Sequence, residues 1–355
     1  MFGLGRNRET VGLDIGASSV KAVQLKPMRG ATKYELVRLG MAPLHPETIV
    51  DGVIMDSGTV MSAIQQIFAE NQIKSKDVVV AVSGHSVIVK KIKVNRMKPE
   101  ELEEQIPFEA EQYVPYAVED VNLDFQILES ANPEANEMDV LLVAVKKDII
   151  NDYLSIISTA GLKAVVVDVD AFALQNAFEI AYEIEKDQVV GLVNLGAAVM
   201  NINILQGGMS EFTRDSALGG NRFTESIQKM LGLSYEQAET LKLGGEVDGR
   251  TFEDARPAIE MVNTELAGEI RRSFDFFRSS SHSDTIHRLI LSGGCARLSG
   301  LVEYLSENLE IPTEVANPLR NIKVDPKKFD PEYLETIAPQ LSVSVGLALR
   351  QAGDK

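Results

Sequence analysis

An α/β fold of two similar lobes, with a small α+β subdomain inserted in the first, is predicted by three features of this sequence. Short apolar strands alternate with longer amphipathic stretches along most of the chain. A strand–glycine–strand pattern at Val11-Gly12-Leu13-Asp14-Ile15-Gly16-Ala17 returns about half the chain later, at Leu192-Val193-Asn194-Leu195-Gly196-Ala197. Between 83 and 165 the texture changes to alternating strands around an acidic stretch, 100–111, that holds six glutamates. A length of 355 residues leaves room for about two or three domains. The expected division is 1–82 for the first part of the first lobe, 83–165 for the inserted block and 166–187 for a linking helix. The second lobe follows at 188–335, with a helical part at about 220–282, and 336–355 returns to the first lobe as a helix.

In chain order, 11–25 reads as strand, glycine turn and return strand. Residues 59–73 carry Val60, Ile64, Ile67 and Phe68 at helical spacing, and 77–82 is a strand-sized apolar run. Within the block, strands are expected at 86–94, 121–128 and 138–145. A helix follows at 148–160, stopped by Gly161 in the usual C-terminal capping role. The glutamates read as a solvated helix face. A helix at 171–184 leads to strands at 188–195, 200–205 and 211–214, and helices fill 220–281, with 264–277 the longest clean pattern. A strand at 287–291 meets Ser292-Gly293-Gly294 ahead of a helix at 298–308. Pro318, Pro326 and Pro331 mark an irregular crossing before a last helix around 339–351.

Composition excludes several classes. Basic residues number 35 against 52 acidic ones, a formal net charge of −17. Such a chain repels phosphate backbones and anionic membrane surfaces. The clusters Lys90, Lys91, Lys93 and Lys327, Lys328 are too small to reverse that field, so nucleic acid is not an expected partner. One cysteine, Cys295, excludes an internal disulfide and a cysteine metal cluster, and fits a reducing compartment. The four histidines, at 45, 85, 282 and 287, lack the paired helix-face spacing of a zinc hydrolase. The opening MFGLGRNRET lacks the apolar core of a signal peptide. No apolar run approaches the ~20 residues that span a bilayer. A cytoplasmic protein without direct membrane insertion is expected.

The repeat has a chemical use. Aligning Gly16 with Gly196 pairs Asp14 with Asn194. Glycine lets backbone approach an anion, and consecutive turn amides form a concave set of donors for phosphate oxygens. The amides of Gly16, Ala17, Ser18 and Ser19 in one hairpin, and of Gly196 and Ala197 in the other, could grip a polyphosphate from two sides. Asp14 is placed to hold the waters of a magnesium ion, which keeps much of its hydration shell. Lys21, at the start of the return strand, could reach β- and γ-phosphates. Gly293 and Gly294 lie where backbone could approach a base or ribose. Glu239 and Lys242, three apart on an expected helix, share one face. There lysine could lie along adenine while glutamate accepts a ribose hydroxyl. Taken singly, each hairpin is equally an ordinary turn, the glycine pair a tight strand-to-helix connection, and Glu239–Lys242 an exposed ion pair.

The order of these motifs resembles the actin-like ATPase superfamily. VGLDIGASSVKAVQL at 11–25, DSALGGNRFTESI at 215–227, LILSGGCARLSGLVEYL at 289–305 and IAPQLSVSVGLALR at 337–350 are similar to the PilM family of type IV pilus assembly proteins, in its FtsA-like branch. The resemblance implies ATP and Mg²⁺ bound between the lobes, contacted also by Gly219, Gly220 and Arg297, with at most slow ATPase activity. It implies docking of the N-terminal cytoplasmic tail of PilN, contacts with other platform and motor proteins of the pilus inner-membrane machinery, self-association, and a role in twitching motility. Attachment to the inner membrane would come through the partner. Two departures stand out. Ala17 replaces the Ser or Thr often found in the first hairpin, and Asn194 replaces the usual Asp, bringing no charge and no base. Asp170 could position water, and is equally readable as a helix N-cap.

Two other readings share the fold. A division-type FtsA-like filament protein carries a membrane helix after its core, whereas 350–355 follows the last core helix directly and is expected to supply none. A small-metabolite kinase needs a base for its acceptor; no position stands out for that role, and Asp168 and Asp170 are what the sequence leaves open. The block at 83–165, with no chemistry of its own, is expected to form with the first lobe a groove for an extended peptide.

Overall fold

The computed structural model describes residues 10–30, 33–50, 52–128, 136–280 and 285–354. The chain opens with β1 (Val11–Ile15), β2 (Ser19–Pro27) and β3 (Tyr34–Pro43), an antiparallel meander. A two-strand ribbon, β4 (Ile49–Val50) and β5 (Val53–Ile54), precedes α1 (Ser57–Glu70). Asp56 caps α1 by accepting the Thr59 amide at 3.0 Å, and Val60, Ile64, Ile67 and Phe68 face the core. β6 (Asp77–Val82) then runs parallel to β1.

The chain leaves the first sheet for β7 (Val87–Asn95), α2 (Pro99–Ala110), β8 (Val121–Ile127) and β9 (Glu137–Lys146). These strands form a separate sheet in the order β7-β9-β8. Leu102, Ile106 and Ala110, one face of α2 at helical spacing, pack on it, and the glutamates of 100–111 stay at the surface. The next two elements return to the first lobe. α3 (Lys147–Thr159) buries Tyr153, Ile156 and Ile157 in the first-lobe core, and β10 (Lys163–Val169) pairs parallel with β6. The separate sheet thus ends at Lys146, and the expected limit of 165 falls inside a strand of the first sheet.

α4 (Asp170–Ala181) crosses to the second lobe and ends before the expected 184. There β11 (Val189–Leu195), β12 (Met200–Gln206) and β13 (Met209–Ser216) repeat the opening meander. α5 (Asn221–Leu231), α6 (Tyr235–Lys242) and α7 (Phe252–Ser280) supply the helical part, whose expected end at 282, with His282, lies outside the described residues. β14 (Arg288–Ser292) runs parallel to β11. A 3₁₀ turn at Gly294–Arg297 delays α8 (Leu301–Leu309) beyond the expected 298. β15 (Thr313–Val315), β16 (Ile322–Lys323), α9 (Pro331–Ile337), a 3₁₀ turn at Ala338–Leu341 and α10 (Ser342–Ala348) complete the chain.

The two large sheets have one topology. The first is ordered β10-β6-β1-β2-β3-β16 and the second β13-β12-β11-β14-β15. In each, a central strand pairs antiparallel with its hairpin partner and parallel with a later strand. One apolar cluster joins them: Val79 and Ala81 of β6, Ala173, Leu174 and Phe178 of α4, Val190 and Leu192 of β11, and Val343 and Leu347 of α10. Among the described residues no helix is long and apolar enough to cross a membrane.

Candidate functional site

The two hairpin turns close alike. The Gly16 amide donates to the Ser19 carbonyl at 3.1 Å, and the Gly196 amide to the Val199 carbonyl at 3.0 Å. A Cβ at 196 would lie 2.8 Å from that carbonyl oxygen, so this turn requires glycine. Strand register places Asp14 opposite Lys21 and Asn194 opposite Asn201. In the first lobe the pair is ionic, Lys21 Nζ standing 3.0 Å from Asp14 Oδ2. In the second it is neutral, Asn194 Nδ2 donating to Asn201 Oδ1 at 2.9 Å. Ser292 also donates to Asn194 Oδ1, at 3.3 Å, and Asn201 Nδ2 donates to Asp215 Oδ1 at 2.9 Å.

The third turn abuts the end of β11. Gly293 has φ +92°, and a Cβ there would lie 2.3 Å from the Leu195 carbonyl oxygen. On α6, Lys242 is buried and donates to the Gly220 carbonyl at 3.3 Å, to Thr224 Oγ1 at 3.0 Å and to Glu239 Oε1. Thr224 also donates to Glu239. An exposed ion pair is therefore excluded for Glu239–Lys242.

These groups meet in one cleft of about 330 Å³ between the lobes. Asp14, Gly16, Ala17, Ser18, Lys21, Asp170, Asn194, Gly196, Ala197, Gly220, Glu239, Lys242, Gly293 and Gly294 line it. Three further candidates do not. Ser19 is buried at the start of β2, and Gly219 packs where a Cβ would lie 2.4 Å from the Ala197 carbonyl oxygen. Arg297 is carried outward by its 3₁₀ turn and donates to the Glu335 carbonyl, lining a separate surface cavity. Asp168 is also outside the cleft: it is buried, and Arg350 Nε lies 3.5 Å away. A kinase base at 168 is thereby removed.

Ser83, Tyr153, Asn201, Tyr235, Cys295 and Gln340 line the cleft without having been expected. Asn201 was legible, because the repeat that pairs Asp14 with Asn194 also pairs Lys21 with Asn201. The others arrive through chain crossings that leave no local signal.

Asp170 is the first residue of α4, whose cap position is Val169, so its carboxyl does not cap the helix. Burial, reinforced by the nearby Asp14 carboxylate, raises its pKa from 3.8 to about 7, against a lowering hydrogen bond from Ser83. Burial likewise raises Asp215, and raises Tyr153 with help from Asp170 and Asp14. For Asp170 the folded state holds the proton more tightly than the unfolded chain. Its ionisation therefore removes stability as pH rises from about 4 to about 7. Asp170→Asn should melt roughly 3–6 °C above the parent at pH 8 and level with it near pH 4. Paired thermal melts across that range check the sign.

Comparison with known proteins follows the same lines. The family described as Type IV pilus assembly protein PilM matches residues 12–352. A solved chain of the "PilM-PilN type IV pilus biogenesis complex" is 32% identical, covers 98% of this chain and 100% of its own, and superposes with a TM-score of 0.87. MreB5 of Spiroplasma citri bound to ADP, at 14% identity, covers 96% of this chain and 94% of its own with a TM-score of 0.52, a likeness of fold. Cell division protein FtsA of Bacillus subtilis (strain 168) is 23% identical over 97% of this chain and 83% of its own length. The two repeated sheets are thus the lobes of an actin-like fold, and the chain belongs to the PilM family of type IV pilus assembly proteins.

Proposed function

We propose that this chain binds Mg-ATP between its lobes and works in the cytoplasm as a scaffold that docks the N-terminal tail of PilN at the inner membrane. The observation that carries the nucleotide part is the single cleft where two like hairpins, a third glycine turn and two lysines converge. The MreB5 structure of the same fold holds ADP. In this reading the hairpin amides and Lys21 hold phosphates, while Glu239 takes the ribose and Lys242, with Gly293 and Gly294, flanks the adenine. The fit is supported by the absence of side-chain bulk at Gly16 and Gly196, and by a buried lysine at the base end. Among the described residues no three His, Cys, Asp or Glu side chains cluster to hold a metal. A magnesium ion would therefore come with the phosphates, keep its waters, and meet the protein through Asp14. Bound there, it would neutralise phosphate charge.

Hydrolysis is expected to be slow. Positioning and electrostatics dominate phosphoryl transfer. Asn194 brings no charge, and its carboxamide is engaged at both ends by Ser292 and Asn201. Asp170, near neutrality in its titration, is the group left to orient water.

PilN enters through the similarity to the PilM–PilN chain. The unit of β7, α2, β8 and β9, which places no side chain in the cleft, serves as the recognition module beside the first lobe. Saturating Mg-ATP at about 100 times its Kd should stabilise the native state by about 2.7 kcal/mol, read as a rise in melting temperature. A labelled PilN-tail peptide should bind saturably, with affinity falling as salt rises, because the chain carries −17. An unmoved melting curve overturns the nucleotide reading, and a linear peptide titration overturns the docking.

A further inference from the structure

Between β6 and β7 the chain passes through residues 83–86, the point where it leaves the first sheet for the three-stranded one. Three consecutive residues there touch three different parts of the molecule. Ser83 lines the cleft together with Asp170 and opposes the rise of that carboxyl's pKa. Gly84, at φ +88°, donates its amide to Asp215 Oδ2 of β13 at 2.5 Å. The His85 carbonyl accepts Tyr116 Oη, from the segment between α2 and β8, at 3.2 Å.

The second-lobe side is as ordered. Asp215 accepts two donors, Gly84 N–H on Oδ2 and Asn201 Nδ2–H on Oδ1, and Asn201 in turn accepts from Asn194 in the cleft. A line of hydrogen bonds therefore runs from Asn194 to the turn, while Ser83 reaches the same turn from the first lobe. β13 also meets the three-stranded sheet directly. Glu211, the extra residue of a bulge opposite Ile204 and Leu205, meets Lys91 Nζ at 2.7 Å; bulges commonly re-aim a side chain in this way.

We propose that the 83–85 turn, fastened to Asp215, is the joint through which nucleotide in the cleft fixes the three-stranded sheet. The inference rests on the Mg-ATP reading and adds the regulation of that site. A ligand held by both hairpins sets the distance between the lobes, and with it the Gly84–Asp215 hydrogen bond that crosses between them. By linkage, a partner that seats the three-stranded sheet tightens nucleotide binding by the same factor.

The test is amide hydrogen exchange of the full chain with and without Mg-ATP, beside thermal melts. In the parent, Mg-ATP should slow exchange at Gly84 and across β7 and β9 by about tenfold. Asp215→Asn keeps the shape but offers one acceptor oxygen to two donors. It should retain the melting shift and reduce the slowing to within about twofold. Lys91→Met, which removes the other bridge, should retain the slowing. Ser83→Ala, cutting the cleft side, should lose it, and carries the test if Asp215→Asn does not fold. A melting shift in the parent with unchanged exchange overturns the joint alone. Slowing that survives Asp215→Asn and is lost in Lys91→Met also overturns it, assigning the link to Glu211. No melting shift in the parent overturns the nucleotide reading and the joint together.

Discussion

Gly346→Val is expected to yield a chain that does not reach the native state. α10 is buried all round, and a Cβ at 346 would lie 1.7 Å from the Ala173 carbonyl oxygen of α4. The obstacle is backbone, so no rotamer change can relieve it. On the other side of α10, a Cβ at Gly12 would lie 2.1 Å from the Ser344 carbonyl oxygen. The helix is thus held between β1 and α4 with no slack, and a shift away from one collides with the other. Overpacking within a side-chain core costs about 1–3 kcal/mol. Backbone against backbone in the cluster that joins both lobes should exceed about 4 kcal/mol, a large share of the stability of a typical protein. Denaturant unfolding of Gly346→Val beside Gly346→Ala measures it. A valine variant within about 1 kcal/mol of the parent would show that the α4–α10 contact yields.

Lys242→Met should abolish the Mg-ATP melting shift and destabilise the free protein. The ammonium donates to Gly220, Thr224 and Glu239, and the lysine is buried. Methionine retains most of the stem volume but leaves Glu239 without its cation. Removing one member of a buried pair costs about 3–5 kcal/mol. Glu239 keeps 26% of its side-chain surface in water, so about 2–3 kcal/mol is expected here. Thermal melts with and without nucleotide separate the two effects. A full melting shift in Lys242→Met would remove α6 from the site.

What could be read from the chain and what could not divide on physical grounds. The hairpins at 16 and 196 and the turn at 293 were legible because a glycine flanked by polar and apolar residues is a local signature. The neutral pair of the second lobe is half legible: Asn194 stands in the glycine-turn motif itself, whereas Asn201 follows only from extending the 180-residue offset to Lys21. β16 is two residues long and pairs with β3, far along the chain, whereas β3 pairs with its neighbour β2 but carries Leu36, Val37, Leu39 and Met41 without strict alternation. α10 shows no amphipathic period, because every residue from Ser342 to Ala348 is buried. The limit at 165 falls inside β10 because the pairing of β10 with β6, and the seating of α3 in the first-lobe core, depend on residues before the block. Arg297 is implied by the family resemblance, whereas the turn after Gly293 sends its side chain to the Glu335 carbonyl.

The placement of α10 also sets an order of events during synthesis. All strands of the second sheet lie between 189 and 315, so that lobe has its complete set once residue 315 has cleared the ribosome. The first sheet takes an edge strand from 322–323, and its central strand β1 backs onto residues 342–348. Its opening hairpin therefore waits for residues 341–348 to be translated before Val23 and Leu25, which pack with Leu341, Val345 and Ala348, are enclosed. Chains grow at about 5–20 residues per second, so the wait is tens of seconds. In the nascent chain, the lobe made second is the first that can finish folding.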